Sequence, residues 1–421
     1  MLLDFTVENY RSFYERKTFS MLAQGLSEDA KDNVTSLLSY NILKTLAVYG
    51  ANSSGKSNLI NAIQTMKSCV LSSVKLNPND SLFYEPFLLV KGNNKPTLFE
   101  MTFLKNDFCY RYGFSYTQRA IVDEWLFRRT SKRSKEQALF IRNSEGIAFE
   151  DKKFPEGIGL ESKVNDNRLF LSLCAQLGGE VSNKVISWFE SDFNVVSGLN
   201  NQEYRSFSKK LFHQKKDASN EAMTLFKKLQ LGFGEISTYE KKLKLPEDTP
   251  KDLVSFFTKI VAEKDIEIES VHLLYDKNGK KCGTIKFPFD DKESSGTRKL
   301  FDMSGPIFDS LENGMVLVID ELDAKMHPLI SQEIIRLFNN PKTNPKNAQL
   351  IFTTHDTHLL STKMLRRDQI WFTEKNNAEQ TDLYCLTDIV LPDGTKPRND
   401  ANYEKNYIAG RYGAIPYIVN D

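Results

Sequence analysis

The chain has 421 residues, of which 40% are hydrophobic and 26% charged, and its 56 basic side chains nearly balance 55 acidic ones. This composition is typical of a globular protein with a large core, folded as one big domain with an insertion or as two domains. A net charge of +1 excludes a global attraction to nucleic acid or membranes, so any such contact requires a local patch.

The N-terminal sequence and the cysteines predict a cytoplasmic protein. Asp4 and Glu8 interrupt the apolar core that a signal peptide needs, and no stretch approaches the roughly 18 apolar residues of a membrane span. The five cysteines are scattered and odd in number, which argues against a disulfide framework or a zinc site.

The first elements along the chain are an amphipathic strand, a buried strand and a phosphate-binding loop. Leu3, Phe5 and Val7 alternate, and an apolar run over 45–49 leads into GANSSGKS at 50–57. This octapeptide matches G-x-x-x-x-G-K-[ST], in which glycines let backbone N–H groups surround a phosphate and the next helix directs its positive end at the anion. We expect Lys56 on the β and γ phosphates and the Ser57 hydroxyl on Mg²⁺. The predicted nucleotide-binding residues of this segment are Gly50, Asn52, Ser53, Ser54, Gly55, Lys56, Ser57 and Asn58.

The pattern after the loop is first β-rich and then helical. Alternating apolar residues over 99–127 predict antiparallel strands, whereas the stretch from about 160 to 262 carries apolar residues at helical spacing, for example over 181–189, 222–229 and 253–260. No heptad pattern is sustained over three or four repeats, so a long coiled-coil arm is excluded and a compact helical insertion is predicted.

Two basic clusters, over 128–135 and over 209–216, interrupt the neutral balance of charge. Either cluster could contact nucleic-acid phosphates, and neither shows an order suited to reading bases. A solvated charged face is the alternative interpretation of both.

The next elements are a hairpin turn over 276–279 and a second helix whose N-terminus can bind an anion. The sequence ESSGTRKL places Ser294, Ser295 and Gly296 at the beginning of a helical pattern, where backbone N–H groups favour an anion. Pro306 lies inside this pattern and predicts a kink or a break.

Two further apolar strands end in groups that can act on a nucleotide. The run over 315–319 leads directly into Asp320 and Glu321, as expected at the carboxyl edge of a parallel sheet. Asp320 would bind Mg²⁺, and Glu321 would orient and deprotonate the attacking water. The strand over 349–354 ends at the same predicted edge in His355, which we expect to face the γ-phosphate.

This order of motifs resembles the ABC-type ATPase head shared by SMC-like, RecF-like and OLD-like proteins. The resemblance implies an α/β fold with ATP and Mg²⁺ as cofactors: a P-loop head with a mostly parallel sheet flanked by helices, an antiparallel β-subdomain and the compact helical insertion. The expected division is 1–160 for the N-terminal part of the head, 161–262 for the insertion and 263–421 for the C-terminal part.

The same resemblance assigns roles that the residues alone do not. It implies that Ser295 and Gly296 act in trans on ATP held by another subunit, so that the head forms a homodimer. The segment Asn9-Tyr10-Arg11-Ser12-Phe13 looks like the start of RecF-like heads, which implies that Arg11 approaches the nucleotide, although a surface salt bridge is an alternative role for this arginine. The family's glutamine loop has its nearest counterpart at 84–87, which lacks the glutamine.

The tail over 398–416, together with ESSGTRKL and VIDELDAKMHP, resembles stand-alone ATPases of bacterial phage-defence systems of the RloA, AbiLi and PARIS type. This branch implies a sensor and scaffold, dimeric or a higher homo-oligomer, that controls a separately encoded, nuclease-like effector. The tail could dock such a partner or pack on its own chain. The competing hypotheses are a RecF-like DNA-repair ATPase and a toxin that depletes nucleotide.

Overall fold

The computed structural model describes residues 1–26, 28, 31–197, 202–240, 266–361 and 364–416. The apolar helical face predicted over 253–260 lies outside these residues. The strands are β1 (Leu2–Glu8), β2 (Lys17–Ser20), β3 (Val34–Leu37), β4 (Tyr40–Leu43), β5 (Thr45–Tyr49), β6 (Thr97–Lys105), β7 (Phe108–Tyr116), β8 (Ile121–Arg129), β9 (Gln137–Asn143), β10 (Gly146–Phe149), β11 (Phe193–Ser197), β12 (Glu235–Glu240), β13 (Ile266–Tyr275), β14 (Lys281–Pro288), β15 (Val316–Asp320), β16 (Gln349–Thr353), β17 (Ile370–Lys375) and β18 (Thr381–Cys385).

The helices connect and cover these strands. They are α1 (Lys56–Ser72), α2 (Phe170–Gln176), α3 (Glu180–Ser191), α4 (Gln202–His213), α5 (Asp217–Lys228), α6 (Phe289–Lys292), α7 (Ser295–Asn313), α8 (Pro328–Asn339), α9 (His358–Ser361) and α10 (Tyr403–Ile408). Among the described residues, no helix combines the length and apolar character needed to cross a membrane.

The chain divides into two compact units, and the first contains residues 1–198, 313–323 and 331–421. Its central sheet has six strands in the order β11-β15-β16-β5-β17-β18, all parallel except for the antiparallel β18 at one edge. The strands β5 and β16 are buried along their whole length, as expected for apolar runs in a parallel sheet covered on both faces. This arrangement confirms the predicted parallel sheet and brings the ends of β5, β15 and β16 to one edge.

Strand β11 corrects the prediction that the chain is helical from about 160. Its five residues, FNVVS, pair in parallel with β15, with Phe193 opposite Val316 and Ser197 opposite Asp320. The run is too short for periodicity to separate strand from helix, and its partner lies more than a hundred residues away in sequence. The pairing with β15 therefore decides its conformation.

A second sheet in the same unit is antiparallel, in the order β10-β9-β8-β7-β6-β1-β2. It confirms the predicted antiparallel subdomain, to which β1 supplies the alternating Leu3, Phe5 and Val7. Trp188 of α3 stacks on Phe103 of β6 with ring centroids 4.0 Å apart, which ties this sheet to the helices of the unit.

The second unit contains residues 199–312 and 324–330. Its sheet has the order β12-β13-β14, and the turn over 276–279 joins β13 to β14 as predicted. Strand β12 lies inside the stretch predicted to be helical, so that prediction is wrong there as well. Its six residues, EISTYE, pair in antiparallel fashion with β13. Pairing with a strand distant in sequence again decides the conformation over the local residue pattern.

Helix α7 in this unit runs through Pro306 instead of breaking there. A proline leaves the carbonyl four residues earlier, that of Asp302, without its helical partner. The Ser208 hydroxyl donates to that carbonyl at 2.6 Å and accepts from the Gly305 N–H at 3.1 Å. The backbone groups around the proline are therefore paired, and the helix continues.

The two compact units do not coincide with the three predicted domains. Residues 161–197, which were assigned to the insertion, belong to the first unit, because α2, α3 and β11 pack against its sheets. Residues 266–312, which were assigned to the head, belong to the second unit together with 324–330.

Candidate nucleotide site

The phosphate loop lies between β5 and α1, and its lysine is buried. Helix α1 begins at Lys56 and packs through a buried face that includes Leu59, Ile60, Ile63 and Met66. Lys56 is 6% exposed, and its ammonium donates to the carbonyls of Gly50 at 2.7 Å and Ala51 at 3.0 Å. Burial lowers the pKa of Lys56 to about 8, against the opposing effect of nearby carboxylates.

Those carboxylates are Asp320, Glu321 and Asp323, at and after the end of β15. A buried threonine at the end of β16 positions two of them: the Thr353 hydroxyl donates to Asp320 Oδ1 at 2.6 Å and accepts from the Glu321 N–H at 2.7 Å. Glu321 has a φ of 56°, a left-handed conformation that non-glycine residues adopt rarely and that often occurs at functional sites.

His355 follows β16 at the same edge. Its backbone N–H points at the Asp323 carboxylate, 3.3 Å from Oδ2. Desolvation, and secondarily the Lys56 charge, lower the pKa of His355 below its usual value, so the imidazole is neutral at pH 7. The structure therefore brings Lys56, Asp320, Glu321 and His355 together at one edge of the sheet.

The remaining residues of the loop differ in exposure. Asn52, Ser53 and Ser57 are exposed, whereas Ser54 and Gly55 are buried. Asn58, the third residue of α1, donates to the Ser12 hydroxyl at 2.7 Å. The exposed side chains can meet a ligand, whereas the buried residues of the loop can do so only through their backbone N–H groups.

Arg11 lies beside the loop and forms an ion pair. Its Nε donates to Glu85 Oε2 at 2.6 Å, and its backbone N–H donates to the Glu85 carbonyl at 2.8 Å. Arg11, Ser12, Asn58 and Glu85 line a cavity of about 410 Å³. Arg11 therefore forms the salt bridge of the alternative interpretation, and it lies next to the start of α1.

Ser294, Ser295 and Gly296 lie in the second unit, at the start of α7. The Ser294 hydroxyl caps the helix by accepting from the Thr297 N–H at 3.1 Å. Both serines are exposed. A Cβ on Gly296 would lie 3.2 Å from the Lys325 carbonyl, so this position has little room for a side chain.

The first basic cluster is partly engaged in packing, and the tail packs on its own unit. Arg128 and Arg129 lie over the rings of Phe108 and Tyr40, at 4.6 and 5.4 Å from the centroids. In the tail over 398–416, the aromatic side chains are buried. The self-packing alternative for the tail is therefore the observed one.

Sequence reasoning missed Asp323 and Thr353. Asp323 stands two residues after Glu321 in VIDELDAKMHP, so the signal was a third carboxylate in the same loop. Thr353 was included only as a strand residue. Its role follows from the parallel pairing of β15 with β16, which places its hydroxyl beside Asp320.

The site combines a buried cation, three carboxylates and a neutral imidazole at the carboxyl edge of a parallel sheet. The family described as "AAA domain, putative AbiEii toxin, Type IV TA system" matches residues 46–361, which is well over half of the chain and includes Lys56, the three carboxylates and His355. The chain belongs to this family. It accordingly carries an ATPase domain of the AAA type.

Two further comparisons add little to that assignment. No curated protein sequence matches the chain. The solved structure of cbiO1 from Clostridium perfringens, described as part of the ABC transporter complex cbiONQ, is similar at 14% identity, covering 89% of this chain and 84% of that one with a TM-score of 0.26. A likeness this distant carries no argument about the present chain.

Proposed function

We propose that the protein binds and hydrolyses ATP and acts as the sensor and scaffold of a bacterial antiphage, abortive-infection system. The observation that carries the enzymatic part is the common site of Lys56, Asp320, Glu321 and His355. A cation that is buried beside carboxylates and a glycine-containing loop suits a nucleoside triphosphate, whose phosphates can replace the carbonyls that Lys56 now contacts.

Different residues are proposed to contact different parts of the nucleotide. In this proposal the Gly50–Ser57 loop surrounds the phosphates through its backbone N–H groups, and Lys56 pairs with the β and γ phosphates. Mg²⁺ fits the Ser57 hydroxyl and the Asp320 carboxylate, because both offer the hard oxygen ligands that this ion prefers. When bound, Mg²⁺ neutralises phosphate charge. Arg11 would add a phosphate contact after exchanging Glu85 for the nucleotide.

Glu321 is the proposed general base. The Thr353 hydroxyl holds the Glu321 backbone N–H, which fixes the residue in its unusual conformation at the end of β15. A carboxylate in this position can orient a water and accept its proton. His355, neutral at pH 7, would donate a hydrogen bond to the γ-phosphate without adding a second charge.

A second copy of the chain is proposed to complete the site. The exposed, capped start of α7 presents Ser294, Ser295 and Gly296 to an external anion. In the family that the sequence resembles, this segment closes on the nucleotide of another subunit. ATP would therefore form a homodimer, from which a higher homo-oligomer could be built.

The biological role rests on resemblance and on the family's printed description, which names a putative toxin of a type IV toxin–antitoxin system. Such a system needs a component that switches between two states. Slow hydrolysis would let the states before and after ATP cleavage each persist long enough to be distinguished. The effector is proposed to be a separately encoded, nuclease-like protein. Because the tail's aromatic side chains are buried, an effector would have to contact other surfaces or the tail's exposed positions.

Phosphate release by the purified protein tests the enzymatic proposal. Lys56→Ala should abolish ATP binding, and Glu321→Gln should bind ATP with turnover reduced about a hundredfold or more. Glu145→Gln, a carboxylate removed from an exposed hairpin turn, is the matched control and should behave as wild type. Wild-type turnover in Glu321→Gln would refute the assignment of the base.

The mass of Glu321→Gln with and without ATP tests the assembly. We expect a dimer with ATP that Ser295→Arg prevents, and capture of the genomically adjacent protein on co-expression. A protein that stays monomeric at saturating ATP would contradict the sandwich. Tight, salt-sensitive DNA binding by this chain alone, with no capture of its neighbour, would favour the RecF-like alternative.

A further inference from the structure

Two threonines of the β17–β18 hairpin contact the phosphate loop. The Thr373 hydroxyl lies 2.7 Å from Ser54 Oγ and 3.3 Å from the Tyr49 carbonyl, so it spans the two ends of the loop. The Thr381 hydroxyl lies 2.9 Å from the Ser54 carbonyl and 2.7 Å from Ser12 Oγ. Both threonines are buried, with 0% and 2% exposure.

The directions of these hydrogen bonds follow from chemistry. A carbonyl only accepts, and a hydroxyl carries a single proton, so Thr381 donates to the Ser54 carbonyl and Ser12 donates to Thr381. Ser12 in turn accepts from the Asn58 side chain. The result is a continuous chain of donors from α1 through Ser12 and the hairpin to the loop, in which each hydroxyl is satisfied.

The contact with the hairpin fixes a peptide of the loop. A trans peptide directs its C=O and its N–H in opposite directions. Because the Ser54 carbonyl points at Thr381, the Gly55 N–H points away from the hairpin and is available to an anion. A Cβ on Gly55 would overlap the Thr381 side chain, and its φ of 114° already favours glycine. The hairpin therefore leaves room for no other residue at position 55.

We infer that Thr373 and Thr381 are positioning residues for nucleotide binding, which hold the phosphate loop in its anion-binding conformation from the hairpin that follows the His355 segment. This inference rests on the proposed function, and it names a device by which the C-terminal part of the chain sets ATP affinity. A loop that must be ordered by the ligand binds it more weakly than a loop that is already ordered.

A purely structural role would lower stability without changing affinity, so the test measures both. Two quantities are compared for Thr381→Val, Thr381→Ser, Thr373→Val and Thr6→Val. They are the dissociation constant for Mg-ATP, determined with a fluorescent analogue, and the unfolding temperature without nucleotide. Thr6→Val is the matched control, because it removes a threonine hydroxyl that bonds Thr18 at 2.7 Å in the antiparallel sheet. Lys56→Ala reports on the proposed function itself.

We expect Thr381→Val and Thr373→Val each to raise the dissociation constant about tenfold, as the loss of a buried hydrogen bond predicts, with Thr381→Ser restoring most of the affinity. Thr6→Val should bind as wild type even where it unfolds earlier. Wild-type affinity in both valine variants would overturn the inference. Should Thr381→Val not fold, Thr381→Ala removes the same hydroxyl that donates to the Ser54 carbonyl, and an unchanged affinity there would overturn the role of Thr381. If Lys56→Ala binds Mg-ATP as wild type, the proposed function fails instead.

Discussion

Replacing Thr353 by valine tests whether the pairing of β15 with β16 positions the candidate base. Valine keeps the shape of threonine but removes the hydroxyl that donates to Asp320 and accepts from Glu321. A hydrogen bond to a charged group contributes about 1.5–3 kcal/mol, and an unpaired buried N–H costs about 1–3 kcal/mol. Since Asp320 and Glu321 are only half-buried, solvent recovers part of the sum. We expect the free energy of unfolding to fall by about 2–4 kcal/mol.

The same substitution should separate catalysis from binding. The Thr353 hydroxyl bonds to Asp320 and Glu321 and not to the residues proposed to hold the phosphates, so the dissociation constant for ATP without Mg²⁺ should change little. In contrast, kcat should fall about a hundredfold as Glu321 loses its fixed orientation. Urea unfolding, equilibrium binding and single-turnover hydrolysis measure the three quantities, with Thr353→Ser as the control that keeps the hydroxyl. A valine variant with wild-type stability and kcat would refute the reasoning.

Three further outcomes follow from other contacts. Nucleotide binding needs the charged form of Lys56, whose pKa is about 8 in the free protein, so ATP affinity should fall progressively above pH 8. An affinity that stays constant between pH 7 and 9.5 would contradict this. Lys56→Arg is the control, because arginine does not titrate in this range. An NMR titration should give His355 a pKa below 6.5 that rises in Lys56→Ala. Since the folded pKa is the lowered one, His355 also makes stability fall as pH drops below about 6.5, and a pKa at or above 6.5 would rule this out. Ser208→Ala should lower the free energy of unfolding by about 1–3 kcal/mol, because it removes the donor that replaces the Pro306 N–H at the Asp302 carbonyl. An unchanged midpoint in urea unfolding would dismiss this role.

The parts of the site that sequence could predict are those with local patterns. The glycines and lysine of the loop, and the carboxylates after a run of apolar residues, are adjacent in the chain, so their spacing carries the chemistry. The parallel sheet then places Lys56, Asp320 and His355 at one edge without further information.

The parts that sequence could not predict depend on partners far apart in the chain. Thr353 and Thr381 look like ordinary strand threonines, and their roles appear only once β15 lies beside β16 and the hairpin lies beside the loop. Strand β11 was missed for the same reason, because five residues carry no reliable periodicity and their conformation comes from pairing with β15. Pro306 was predicted to disturb its helix, and the compensating Ser208 lies 98 residues earlier.

The tail shows that composition alone leaves two uses of a segment open. Its aromatic, basic and glycine residues suit a docking surface, yet Tyr407 packs on Phe372 with centroids 5.5 Å apart and on Tyr49 at 5.9 Å. Tyr49 is the last residue before the phosphate loop, and its hydroxyl donates to the Asp356 carbonyl at 3.4 Å, next to His355. The aromatic residues of the tail therefore pack behind both sides of the candidate site. A partner that displaced the tail would expose these rings and loosen the segments that carry Gly50 and His355, so binding at the tail and binding of ATP would oppose each other.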